Sequence, residues 1–169
     1  MSTRIEKLFE TETAHIVRNA VSEKCALNIH GHSYLWRVTI EGPVDEITGM
    51  VLDFIELKPI KDFIDKFDHA MILWDGDPDE IFKMFFHKNC KRVIEMKKNC
   101  TAENMARIVF KFTQDWLDKK WENWLKEHFD CQINSPYNCV EVRVNETRTG
   151  CGITTCSDNN DICTYIHEN

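Results

Sequence analysis

The run Asn28-Ile29-His30-Gly31-His32-Ser33-Tyr34-Leu35-Trp36-Arg37-Val38-Thr39-Ile40 constrains this chain more than any other stretch. Aromatic and β-branched residues dominate it, which predicts a strand. Residues two apart on a strand share a face, so His30 and His32 project together and one cation can take a nitrogen from each. His15 follows a second strand-like stretch, Leu8 to Val17. Three imidazoles with a fourth position left open form the ligand set of a catalytic zinc site rather than a structural one. The competing reading is plainer: histidines also occur on half-exposed strands without chemical consequence.

Charge and composition narrow the classes. The net charge of −7 opposes broad attraction to nucleic acid, so no nucleic-acid partner is expected. A small anionic substrate is still compatible, held by local cations; Arg18, Lys24, Arg37 and Arg148 lie near the motifs. No apolar run is long enough to span a bilayer, so no membrane partner is expected. The start, Met1 to Lys7, is charged and lacks a signal-peptide core, which predicts a cytoplasmic protein. The eight cysteines include no C-x-x-C pair, which argues against a zinc ribbon or a thioredoxin-like site. The C-terminal trio Cys151, Cys156 and Cys163 reads as small packing residues in preference to a metal site.

With 169 residues and no repeat, linker or low-complexity tract, the chain reads as one domain over 1–169. Strands are predicted at Leu8–Val17, Ser33–Glu41 and, briefly, Met50–Phe54. Leu57, Ile60, Phe63, Ile64 and Phe67 recur at helical spacing, and Pro59 requires that helix to begin near Ile55 or Glu56. An excursion at about 74–100 carries a short helix over Asp79–Lys88 and a short strand over Arg92–Met96. A second major helix opens at Thr101, a candidate N-cap, and either continues past Leu117 or breaks and restarts. Cys139–Thr147 alternates as a final strand or the first of a final pair. The order predicts an α+β layer.

Five pieces in order carry a resemblance: Phe9 to His15; Lys24-Cys25 followed by His30 to Tyr34; Thr48 to Lys58; Phe67-Asp68-His69; and Thr101 to Asn104 with Asn145-Glu146-Thr147. Together they resemble the 6-pyruvoyltetrahydropterin synthase family from about Leu8 to Gly152. Val51-Leu52-Asp53-Phe54 and Glu146 to Cys151 look most like the branch that makes 6-carboxytetrahydropterin for 7-deazaguanine (queuosine) synthesis.

The resemblance implies the tunnelling fold (T-fold): a four-stranded antiparallel sheet with two helices on one face, joined with other copies into a barrel. A homo-oligomer, trimer or hexamer, with sites between subunits is therefore expected. The resemblance also implies Zn2+ on His15, His30 and His32, Cys25 as the base, and Asp68 with His69 as its proton relay. It implies a pterin anchor at Glu146, with Thr101 and Glu103 lining the same pocket, and a pterin triphosphate as the small-molecule substrate. Arg148 and Lys24 are further candidates for the triphosphate. Plainer roles compete at several of these positions: a loop cysteine, a helix-terminal histidine, a helix cap at Thr101 with a first-turn acid at Glu103, and an exposed strand glutamate. The expected reaction converts 7,8-dihydroneopterin triphosphate to 6-carboxy-5,6,7,8-tetrahydropterin with loss of acetaldehyde and triphosphate. Alternatives are a 6-pyruvoyltetrahydropterin synthase and a non-catalytic zinc- or pterin-binding module.

Overall fold

A computed structural model describes residues 2–128 and 133–156, together with the backbone of 166–167. Cys131 and Cys163 lie outside the described residues; Cys25, Cys90, Cys100, Cys139, Cys151 and Cys156 are free thiols.

The scaffold is a long hairpin. Strand β1 (Ser2–His15) pairs antiparallel with β2 (His30–Pro43) in unbroken register from Ser2 opposite Pro43 to His15 opposite His30. Burial alternates along both strands, as a sheet with one face on the core requires. The inward side chains of β2 run Ile40, Val38, Trp36, Tyr34, all buried, then His32 and His30. Full burial of side chains this size contributes about 1.5–3 kcal/mol each. On β1 the inward face turns polar as it approaches His15. Its buried hydroxyls are paired: Trp36 Nε1 donates to Thr11 Oγ1 at 2.8 Å, and Thr13 Oγ1 donates to the Phe67 carbonyl at 2.8 Å.

Four further strands extend the sheet: β3 (Ala70–Trp74), β4 (Val93–Met96), β5 (Asn138–Asn145) and β6 (Cys151–Thr155). The strand order is β6-β5-β2-β1-β3-β4, and a two-residue β7 (Ile166–His167) pairs with β4 at the edge. This corrects the expected four-stranded antiparallel sheet. β3 runs parallel to β1, and β4 parallel to β3. The physical reason is the crossover: a parallel return needs a long connection, and helices supply it here. The connection between β1 and β3 includes β2 and helix α2 (Lys58–Ile64), while β3 and β4 are joined through α3 (Glu80–Asn89).

Met50–Phe54 is not a strand either. Asp53 caps a 3-10 turn at Phe54–Leu57 by accepting from Ile55, and Glu56 accepts from the Asp53 N–H. That capping box overrides a short apolar run. The turn feeds α2 with Pro59 in its first turn, as expected. The major helix α4 (Ala102–His128) is continuous, and Thr101 caps it: the Asn104 N–H reaches Thr101 Oγ1 at 3.3 Å. Its buried face, including Met105, Ile108, Val109 and Leu117, packs with β5, β6 and α2. β6 passes close to its start, because a Cβ on Gly152 would stand 2.4 Å from the Glu103 nitrogen.

Candidate functional site

The inward face of the hairpin ends in imidazoles. His15 and His30 are cross-strand partners, and His32 is two residues along on the same face. Their ring centroids lie 4.5–5.3 Å apart. A Cβ on Gly31 would stand 3.0 Å from the Thr13 carbonyl, so glycine between the histidines lets the strands lie close. The turn after β5 adds Glu146, whose Oε1 is 3.2 Å from His15 Nε2 and 3.4 Å from His32 Nε2. One donor atom from each of these four residues lies within 4.8 Å of the others.

This group requires positive charge at its centre. His15 Nδ1 lies 2.7 Å from the Cys100 carbonyl oxygen, and His30 Nδ1 lies 3.0 Å from that of Asn28. A carbonyl only accepts, so each Nδ1 carries its ring's proton and each Nε2 of a neutral ring presents a lone pair. Those two Nε2 atoms face each other at 3.1 Å, beside a carboxylate oxygen. Acceptors so placed repel unless a proton or metal ion lies among them. His32 Nε2 is buried without a hydrogen bond, since its approach to Glu146 lacks bonding geometry. Imidazole nitrogens and a carboxylate suit zinc, and carbonyl partners behind the rings are the usual way such ligands are oriented.

Electrostatics agree. Burial pushes the His32 imidazole below its ordinary value, which keeps it neutral and able to ligate. A hydrogen bond from His15, available when a proton occupies Nε2 as well as Nδ1, holds the Glu146 carboxyl below its ordinary value against the opposing cost of burial, so the carboxylate favours a positive charge at this centre. Tyr34 donates to Glu146 at 3.2 Å, and burial pushes its phenol far up, so it stays a neutral donor.

The remaining expected residues lie outside this group. Cys25 is half-buried on the four-residue helix α1 (Glu23–Ala26), between β1 and β2, and contributes no atom to the four-residue group. Asp68 and His69 form a dyad, with His69 Nδ1 2.8 Å from Asp68 Oδ2. Its anchor is strand β1: Asp68 Oδ1 accepts from the Glu12 N–H at 2.8 Å, and the His69 N–H donates to the Glu12 carbonyl at 2.6 Å. The first of these bonds holds the Asp68 carboxyl below its usual range. The His69 side chain is 74% exposed, and its backbone is left-handed at φ 54°. It opens on a cavity of about 690 Å³ lined by Glu12, Ala14, Gly31 and Ser33, with His32 also reaching it. Those four alternate with the inward positions of β1 and β2, so they belong to the reverse of the sheet, while Thr13 and His32 reach the cavity from the inward side.

Glu146, the expected pterin anchor, lies beside its own chain's histidines, because the turn after β5 ends next to Tyr34 and His15. Thr101 acts as a helix cap, while Glu103, Lys24 and Arg148 are exposed and stand outside the group. Two participants escaped the sequence reading. Tyr34 could have been found, since the step that pairs His30 with His32 places Tyr34 third on the same face. The Cys100 carbonyl left no signal in side-chain identity.

These features define a tunnelling-fold protein with a histidine-lined centre at one end of its longest hairpin. Residues 4–155 match the family model described as 6-pyruvoyl tetrahydropterin synthase, and the chain belongs to that family. It is 34% identical over 147 residues to a Helicobacter pylori protein named 6-carboxy-5,6,7,8-tetrahydropterin synthase, covering 86% of this chain and 69% of that one. It is 29% identical over 120 residues to a Drosophila melanogaster 6-pyruvoyl tetrahydrobiopterin synthase, covering 70% and 52%. Among solved structures, the 6-pyruvoyl tetrahydropterin synthase of Caenorhabditis elegans superposes with a TM-score of 0.57 at 24% identity, covering 92% of this chain and 96% of that one. Among the described residues, no helix is long and apolar enough to cross a membrane.

Proposed function

We propose that this protein is a zinc-dependent lyase converting 7,8-dihydroneopterin triphosphate to 6-carboxy-5,6,7,8-tetrahydropterin, releasing acetaldehyde and triphosphate. The observation that carries the reading is the convergence of three imidazole nitrogens on one face of one hairpin. The greater identity and coverage toward the Helicobacter pylori relative support the carboxy product over the pyruvoyl one.

His15, His30 and His32 would hold the zinc, which supplies Lewis acidity toward substrate oxygens. Glu146 would receive the pterin, because a carboxylate accepts two N–H donors from the 2-amino and ring edge while keeping further acceptor sites. Tyr34 would keep that carboxylate oriented. Cys25 would take and return carbon-bound protons during isomerisation, triphosphate elimination and carbon–carbon cleavage. Asp68 would hold His69 by Nδ1, leaving Nε2 to exchange protons with the thiol. Since the dyad's cavity is lined in part by the reverse of the sheet, the dyad would meet a thiol of a neighbouring copy in a cytoplasmic homo-oligomer.

Mass spectrometry of products from the zinc-loaded protein with 7,8-dihydroneopterin triphosphate tests this. Carboxy product with equimolar trapped acetaldehyde is expected. Pyruvoyl product without acetaldehyde would replace the reading with its alternative, and metal binding without turnover would reduce it to a binding module.

A further inference from the structure

We infer that the Arg18–Asp77 ion pair is a brace positioning the Cys25 thiol, and that the excursion at 74–100 supplies it. The inference rests on the reading of Cys25 as the proton-transfer residue.

Apolar packing does not place Cys25. Helix α1 has four residues and none is buried, and Val21 and Leu27 on either side are exposed. A helix this short is not self-supporting. What fixes the segment is polar. The Val17 N–H donates to the Cys25 carbonyl at 3.0 Å, closing the loop immediately after His15. Arg18 then ties that loop outward. Its Nε donates to Asp77 Oδ2 at 2.7 Å, and its Nη1 reaches the carbonyl of Ala26, beside Cys25, at 3.5 Å. Its guanidinium lies over the Phe82 ring of α3, 5.1 Å from the centroid.

Both ends of the excursion converge on this one residue. At the near end, the Asp77 side chain is 1% exposed, and its second oxygen accepts from the Asp79 N–H at 2.9 Å. At the far end, Asn99 Nδ2 donates to the Arg18 carbonyl at 2.5 Å while Asn99 Oδ1 accepts from the Cys100 N–H at 3.0 Å. The Cys100 carbonyl is the partner of His15 Nδ1. The loop bearing the thiol and the carbonyl orienting a metal-site imidazole are thus indexed to the same segment. A buried ion pair adds little stability over an apolar pair of the same shape, so its worth lies in direction. Arginine suits that task, because its planar fork serves two acceptors and a ring face at once.

The test uses zinc-loaded protein carrying Arg18→Met with Asp77→Asn, which removes both charges and leaves no orphaned carboxylate. Iodoacetamide labelling of Cys25 is followed at pH 7 by peptide mass spectrometry, with Cys90 and Cys151 as internal standards. The expected result is a several-fold change in Cys25 labelling alone, retained zinc, and a kcat lowered about a hundredfold with KM little moved, as ångström-scale misplacement produces. Arg18→Lys keeps the charge beside Asp77 but loses the fork, and should move both readouts in the same direction to a smaller extent. If the double variant fails to fold, this single variant decides. Cys25 labelling and kcat both equal to the parent's in the folded variant would overturn the brace. Cys25→Ala separates the premises: turnover at the parent rate would remove the catalytic reading, while labelling would still judge the brace.

Discussion

The imidazoles and the thiol of this protein are held in opposite ways. His15, His30 and His32 belong to fourteen-residue strands in register along their whole length, and their face continues the core through Tyr34 and Trp36. Cys25 sits on a single helical turn with no buried residue, held by backbone and guanidinium hydrogen bonds. A metal ligand must be prepaid in position, because donors brought together without a cation repel. In the proposed reaction Cys25 exchanges protons with bound substrate, and its place then depends on those few hydrogen bonds rather than on packing. The Asp68–His69 dyad lies between these extremes, as a turn stapled by two hydrogen bonds to the backbone of β1.

The largest effect should follow from breaking the strand-borne half. His30→Ala removes one ligand from a half-buried strand position without disturbing the ladder. Zinc affinity, measured by chelator competition, should fall by on the order of a hundredfold or more, since even residues behind the ligands cost 10–100-fold. Far-UV circular dichroism should be unchanged. Undiminished zinc affinity would mean that the three imidazoles do not share an ion.

A second measurement sharpens the contrast without mutation. Hydrogen exchange should be fast for the amides of Cys25, Ala26 and Leu27, whose bonds are local to Ser22 and Glu23. It should be slower by about three orders of magnitude for amides in the centre of β1 and β2, where opening requires global unfolding. Equal protection would show that the thiol is as firmly held as the histidines.

Much of this arrangement was legible in the chain; the Met50–Phe54 misreading had a local cause in the Asp53–Glu56 capping box, and the other misses share one. The hairpin strands, the Pro59-led helix, the Thr101 cap and the three-histidine face follow from period and local chemistry. β3 was not read as a strand, because Ala70 to Leu73 is buried on both faces and shows no alternation. Its parallel pairing with β1 joins residues 57 apart, which no local pattern records. Arg18 looked like an anion contact, yet its partner is Asp77, fifty-nine residues away and buried. Glu146 was read as a pterin anchor, and its place beside His15 and Tyr34, more than a hundred residues earlier, left no local trace. In each case the deciding contact is long-range.

The smallest effect concerns the dyad. In the native chain the Glu12 N–H, chiefly, holds the Asp68 carboxyl below its ordinary value of 3.8. A carboxyl whose folded value is depressed contributes stability above its unfolded value and loses it as pH falls through the folded one. Asp68→Asn should therefore lower the urea midpoint at pH 7, and the gap to the parent should close as pH falls below about 4, where the unfolded carboxyl protonates. The side chain is 38% exposed, so solvent screening keeps the effect small. The direction separates two accounts of what anchors the turn. If the gap is the same at pH 7 and pH 3, the carboxylate's charge contributes nothing, and the His69 N–H bond to the Glu12 carbonyl holds the turn by itself. If the gap closes in acid, the dyad's carboxylate is part of its own mooring to β1, the strand that carries His15.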